Sequence, residues 1–373
     1  MRTLKISELI ENELKVFWGN EPVEEALNLT PVIKTNNLSY TGKISYEPIT
    51  YRDINICKIK NNYLVNGDLL IEKSGGTKTH SVGYVNFFDG KDNFYVANNF
   101  ILPIRPNKDL ILPKYLFYCM RFYYESGVFS DCYNKTTGIQ NLKKETYLSK
   151  TIKVPSFEKQ KQIIDILDNI ELNIDKKKTE IGYLNNLIKS RFIELFENKG
   201  FPLIEIKKVV DTKKISAKKK YLCDESIEYI DISSIDNKKN IIIGSTSYIF
   251  EKAPSRAQQC LLREDILIST VRPNLKNIAL FNIDNEGYVG SSGFCVLRST
   301  KCNPYYLLHC VLSDDFTNSM CKVTSGASYP AIRDEDVFNY KIINAPIELQ
   351  NQFAEFVKLI DKSKFVDYSR YFL

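Results

Sequence analysis

From Ile163 onward the apolar residues fall at alternating steps of four and three. They are Ile163, Leu167, Ile170, Ile174, Ile181, Leu184, Ile188 and Leu195, and only Lys177 and Arg191 place charge in that seam. The pattern covers nearly five heptads without an internal proline, which predicts a long coiled-coil helix. At 1.5 Å per residue it would span roughly 50 Å. Pro155 precedes its first turns, and Gly200-Phe201-Pro202 stops it. A second stripe, Gln350, Phe353, Val357 and Ile360, starts near the C-terminal end. It is too short to match the first along its length, so it is expected to pack beside one end of the long helix.

Outside the stripes, residues 1–155 and 199–345 read as mixed, β-rich domains. Short apolar runs alternate with Gly, Asn and Asp turns: Tyr63-Leu64-Val65, Leu69-Leu70-Ile71, Val82-Gly83-Tyr84-Val85 and Phe94-Tyr95-Val96. One helical stretch is expected in each domain, near Lys114–Phe122 and Tyr305–Leu312, each behind a proline, Pro113 or Pro304.

The two domains echo each other. Gly67-Asp68-Leu69-Leu70-Ile71 returns as Glu264-Asp265-Ile266-Leu267-Ile268, and Val96-Ala97-Asn98-Asn99-Phe100 returns as Val289-Gly290-Ser291-Ser292-Gly293-Phe294. Thr136-Thr137-Gly138 returns as Thr324-Ser325-Gly326, and Pro155 with Gln160 returns as Pro346 with Gln350. Four echoes in one order, offset by about 190 positions, argue for a duplicated unit. The fold class is therefore α+β: two tandem domains held apart by helix. The boundaries expected are 1–155, a helix at 156–198, a second domain at 199–345 and a shortened helix at 346–373.

Composition narrows the chemistry. The chain has 373 residues with 43% hydrophobic and 26% charged, which is globular. No run of about 18 apolar residues exists, and the N-terminus lacks a signal-peptide core, so a cytoplasmic protein without a membrane partner is expected. Nine scattered cysteines with no C-x-x-C pair, and only two histidines, His80 and His309, argue against a disulfide framework or a zinc site. The net charge of +6 is uneven: residues 176–220 carry 13 Lys/Arg against 5 Asp/Glu. A local excess of that kind suits a polyanion, and a solvated helix face is its plainer reading.

No catalytic or metal site emerges. Asn303-Pro304-Tyr305-Tyr306 approaches the Asn-Pro-Pro-Tyr motif of adenine methyltransferases, but Tyr replaces the second proline. The equivalent Pro113-Lys114-Tyr115-Leu116 lacks the Asn, so a proline-initiated helix is the shared feature. No glycine-rich loop for S-adenosylmethionine and no phosphate-binding loop is present. Glu158-Lys159-Gln160-Lys161 reads as the first turn of the long helix rather than a metal cluster. Two polar loops are better contact candidates. Lys73, Ser74, Thr77, Lys78, Thr79 and His80 follow the first repeated strand; Arg272, Asn274 and Lys276 follow the second. Thr137, Gln140 and Ser325 join them from the Thr-Gly and Ser-Gly elements. Such groups hold phosphates and read base edges, and an ordinary solvated hairpin is the alternative.

The repeated domains, the Pro155…Gln160 and Pro346-Ile347-Glu348-Leu349-Gln350 helix entries, and the Thr-Gly or Ser-Gly element before each helix resemble the specificity subunits of type I restriction–modification systems. The resemblance covers essentially the whole chain. It implies a non-catalytic subunit that reads double-stranded DNA, each target-recognition domain reading half of a bipartite, asymmetric site. It implies that the helices dock two methyltransferase subunits, which bind the S-adenosylmethionine, and that a restriction subunit joins the assembly. The docking seam would be Ile163, Leu167, Ile170, Ile174, Ile181, Leu184, Ile188 and Leu195 with Phe353, Val357 and Ile360. The short second helix departs from a symmetric arrangement. A coiled-coil adaptor that binds protein alone, and a detached recognition module of a fused restriction–methylation enzyme, remain the alternatives.

Overall fold

Leu69, Leu70 and Ile71 are fully buried because their strand, Leu69–Glu72, is covered on both faces. Leu69 and Ile71 face a core with Leu116, Phe117 and Tyr147, while Leu70 faces a second core with Ile33, Phe88 and Ile101. That double burial is why the run is continuously apolar and not alternating. Ile266 and Ile268, against Leu267, divide between two cores in the same way. The structure, a computed structural model, describes residues 2–22, 29–77, 80–136, 139–324 and 330–369. It divides into two units, Met1–Lys176 and Lys177–Leu373.

Both units follow one plan. In the first, an antiparallel sheet has the order Ile10–Glu13, Ile101–Pro106, Leu69–Glu72, Val85–Phe87. In the second the order is Val210–Asp211, Phe294–Ser299, Asp265–Ser269, Ile278–Phe281. A second sheet in each unit contains one parallel pair, Leu29–Ile33 with Val96–Ala97 and Ser226–Ile230 with Tyr288–Ser291. The second unit adds Ala257–Cys260 to that sheet's edge. The ends of each unit are tied by their own antiparallel ladder: Arg2–Lys5 to Thr151–Val154, and Leu203–Glu205 to Lys341–Ile343.

Buried polar pairs repeat too. Asp68, 1% exposed, takes Arg105 Nε and Nη2 at 2.8 Å each. Asp265, fully buried, takes Arg298 at 2.9 and 2.6 Å. Each aspartate also accepts the backbone N–H three residues earlier, at Val65 or Leu262. These forks neutralise and hydrogen-bond charges that would otherwise be costly to bury. The Val65 bond, with Gly67 in the left-handed region, turns the chain just ahead of the strand.

That turn corrects one expectation: Tyr63-Leu64-Val65 is buried at Leu64 but is not a strand. Leu69-Leu70-Ile71 is the central strand, and of the remaining two runs Val85–Phe87 and Val96–Ala97 make ladders. The proline-initiated helices are Pro113–Glu125 and Pro304–Leu312. The second unit holds a further helix, Asp314–Lys322, begun where Ser313 Oγ accepts the Phe316 N–H at 3.1 Å. The first unit likewise adds the short helices Ile56–Ile59 and Lys144–Leu148, so the expectation of one helical stretch per domain fails in both.

The long helix runs from Phe157 to Phe196, 40 residues, and the C-terminal one from Ile347 to Ser369. Ile163 and Leu167 pack on the first unit's core. In the second unit Ile188 is core, with Leu184 and Leu195 against it, and Phe353, Val357 and Ile360 of the C-terminal helix complete the cluster. Phe353 meets Phe192 and Phe196 edge-on at 5.4 and 5.6 Å. Eight of the eleven expected docking positions are thus enclosed by their own unit, because a heptad seam next to a folded domain is buried by that domain first. Ile170 and Ile174, each 49% exposed, remain open, as does Ile166 at 59%; Ile181 is half-buried.

Candidate nucleic-acid interface

Each central strand opens into a candidate loop, and each loop is braced by the chain that follows the Thr-Gly or Ser-Gly element. In the first unit Lys73 O accepts the Leu142 N–H at 2.8 Å, and Ser74–Gly75 pairs antiparallel with Gln140 and Asn141. Ser74 Oγ donates to Asn141 Oδ1 at 2.6 Å. Gln140 donates to Thr77 O at 3.4 Å and accepts the Val82 N–H at 3.2 Å. The loop closes where Thr77 N–H donates to His80 O at 2.7 Å and His80 N–H donates to Thr77 Oγ1 at 3.0 Å. The His80 ring stacks on Tyr40 with centroids 3.8 Å apart. Lys73, Ser74, Thr77, His80 and Gln140 therefore form one surface. Lys78, Thr79 and Thr137 lie outside the described residues.

Gly75 and Gly76 permit this close folding. Both have positive φ, and a Cβ on Gly75 would sit 2.6 Å from Glu72 Oε1.

The second loop uses the same brace with different residues. Thr270 O accepts the Ile332 N–H at 2.9 Å, and Arg272 N–H donates to Pro330 O at 2.8 Å. Arg272 and Lys276 both adopt left-handed backbone, φ 51°, around the short turn Pro273–Leu275. Asn237 Nδ2 donates to Leu275 O at 2.8 Å, and Asn240 Nδ2 donates to Lys276 O at 3.0 Å. Arg272 and Asn274 are exposed. Lys276 is already paired with Asp314 at 2.5 Å, which makes it a loop anchor. Ser325 lies outside the described residues.

Sequence reasoning missed Tyr40, Asn141, Asn237 and Asn240. The turn Asn237-Lys238-Lys239-Asn240 carried a signal, since Asn readily takes the left-handed backbone observed at Asn240. Tyr40 and Asn141 carried none, because their partners are distant in sequence.

The basic stretch is less free than its count suggests. Lys177, Arg191, Lys207, Lys208, Lys214 and Lys220 each face a carboxylate within the second unit. Screening makes such exposed pairs weak, so they can be exchanged for other anions. Asn303 is also structural: its side chain caps the Tyr305 N–H at 2.9 Å, and the fully buried Tyr306 donates to Ile343 O at 2.6 Å. His309 lies edge-on to Phe353 at 5.1 Å, and burial lowers its pKa to about 4, so it is neutral at pH 7.

A type I restriction modification DNA specificity domain matches the chain twice, at residues 18–185 and 197–365. The chain belongs to that family. Its two repeats are two DNA specificity domains, and the chain is a type I restriction–modification specificity subunit. It is similar to the MjaX type I restriction enzyme specificity subunit of Methanocaldococcus jannaschii, with 25% identity across 97% of this chain and 86% of that protein. The type I restriction–modification S subunit of M. genitalium shares the fold, with a TM-score of 0.53 and 14% identity, covering 99% of this chain and 91% of that one. The HsdS subunit of Thermoanaerobacter tengcongensis matches at 32% identity over 46% of this chain and 45% of that one, with a TM-score of 0.40. Among the described residues no helix is long and apolar enough to cross a membrane.

Proposed function

We propose that this specificity subunit is a non-catalytic reader of double-stranded DNA whose two domains each recognise one half of a bipartite, asymmetric site. One observation carries the reading. The same strand, loop and brace occur twice, while the loops themselves, residues 73–80 and 270–277, differ in sequence and anchoring. A shared scaffold with divergent loops suits two different half-sites. Lys73 and Arg272 would supply phosphate or base-edge contacts, and Ser74, Thr77, His80, Gln140 and Asn274 further hydrogen-bonding ones.

The exposed Ile166, Ile170 and Ile174, spaced four apart on the long helix, would form part of the dock for two methyltransferase subunits. Those partners would bind the S-adenosylmethionine, and a restriction subunit would complete a cleaving assembly. All nine cysteines are unpaired, which suits the cytoplasm.

The test is DNA binding and methyl transfer by the chain alone and with its methyltransferase. The isolated chain should transfer no methyl groups, and the complex should bind DNA with affinity that falls steeply with salt. Methyl transfer by the isolated chain would overturn the non-catalytic role. A complex that binds no DNA would favour the protein-only adaptor.

A further inference from the structure

Glu72 ends the central strand of the first unit, directly ahead of the candidate loop, and is 5% exposed. Its Oε1 accepts the Gly76 N–H at 3.4 Å, and its Oε2 is buried with no hydrogen-bond partner among the described residues. Gly75 and Gly76 fold back over it. The titratable groups set against it are the phenols of Tyr40, Tyr84 and Tyr124, and Tyr40 carries the stacked His80. No described cation neutralises it. A buried carboxyl with one empty oxygen is costly unless its position is needed.

The second repeat supplies the comparison. Ser269 occupies the equivalent place, also buried, and its hydroxyl is satisfied by Val271 O at 2.9 Å and Val271 N at 3.2 Å. The second loop thus hangs on a neutral, satisfied group, whereas the first hangs on an acid.

We propose that Glu72 is a positioning residue for specificity: it sets the conformation of Lys73–Thr77 and of His80 beside them, and so governs discrimination at the first half-site and not at the second. This rests on the DNA-reading function proposed above. Burial raises the Glu72 pKa to about 6, against a weaker pull from the Gly76 N–H, so the carboxyl changes charge near neutral pH. Ionisation would strengthen the Gly76 bond and add an unpaired buried charge, and the loop must respond to both.

The experiment uses the complete complex with its methyltransferase. Binding is measured to duplexes carrying the cognate site, an altered first half-site or an altered second half-site, at pH 5.5, 6.5 and 7.5. For the wild type, discrimination at the first half-site should change by about tenfold over this range, and the second should stay flat. Glu72→Gln keeps the shape and should remove the pH dependence. Glu72→Ala should lower first-site discrimination by about tenfold at every pH. Glu72→Gln following the wild-type profile, or Glu72→Ala discriminating normally, would overturn the inference alone. A wild-type complex that discriminates at neither half-site would overturn the DNA-reading function together with it.

Discussion

Gln160 and Gln350, 190 positions apart, make the same two hydrogen bonds in their respective units. Gln160 Oε1 accepts the Leu112 N–H at 2.8 Å and its Nε2 donates to Pro155 O at 3.0 Å. Gln350 Oε1 accepts the Asn303 N–H at 2.8 Å and its Nε2 donates to Ala345 O at 2.8 Å. Each glutamine pins the start of its helix to the backbone just before the proline-initiated helix. Both are almost fully buried, at 1% and 3% exposure.

Replacing either by Ala strands a buried donor and acceptor. Gln160→Ala and Gln350→Ala should each cost about 2–3 kcal/mol, read from urea unfolding, and by similar amounts because the geometry is shared. A loss under about 0.5 kcal/mol would mean that water replaces the bonds.

The Asp–Arg forks should be more sensitive still. Asp68→Ala or Asp265→Ala leaves Arg105 or Arg298 partly buried without its partner, at about 3–5 kcal/mol. Removing both members of a pair with apolar residues of similar volume should restore most of that loss. Double-mutant cycles in urea unfolding decide it.

The repeat was legible because these pairs reside in short local signatures: an acidic residue before an apolar strand, and a proline five or four residues before a glutamine. The long helix was legible from its heptads. The fate of its seam was not, since spacing reports a buried face without saying what buries it. Ile188 and Ile174 share one seam position, yet Ile188 is 4% exposed and Ile174 is 49% exposed. The candidate loops could be located by the strands ahead of them. The Glu72 carboxyl, the Tyr40–His80 stack and the Asn240 brace depend on contacts between distant segments, which no local pattern encodes.

That difference along the seam gives a prediction about docking. Ile170→Asp with Ile174→Asp should leave the unfolding midpoint nearly unchanged and weaken capture of the methyltransferase. Ile188→Asp should instead unfold the second unit, because a buried apolar contact worth roughly 1.5–3 kcal/mol becomes a buried charge. Normal capture by the exposed double variant would remove this stretch from the docking surface.

His309 and Glu72 should contribute to stability in opposite senses as pH changes. His309, lowered to about 4 from its ordinary 6.5, binds its proton more readily in the unfolded chain. Its contribution is full above pH 6.5, and up to about 3 kcal/mol is lost as pH falls towards 4. Glu72, raised to about 6 from 4.5, ionises first in the unfolded chain. Its contribution is full below pH 4.5, and up to about 2 kcal/mol is lost as pH rises through 6. Trp18, the sole tryptophan, reports the first unit by fluorescence, and hydrogen exchange reports the second. Glu72→Gln should stabilise the first unit at pH 8 and not at pH 4.5. A Glu72→Gln stability profile identical to the wild type across this range would contradict the Glu72 assignment.

The central claim is that each unit reads its own half of the DNA site. It is tested most directly by exchanging residues 199–345 for those of another family member and sequencing the methylome of a host that carries the hybrid with its methyltransferase. The expected motif keeps one half-site, changes the other and retains unread base pairs between them. A motif altered in both halves, or one short continuous sequence, would contradict it.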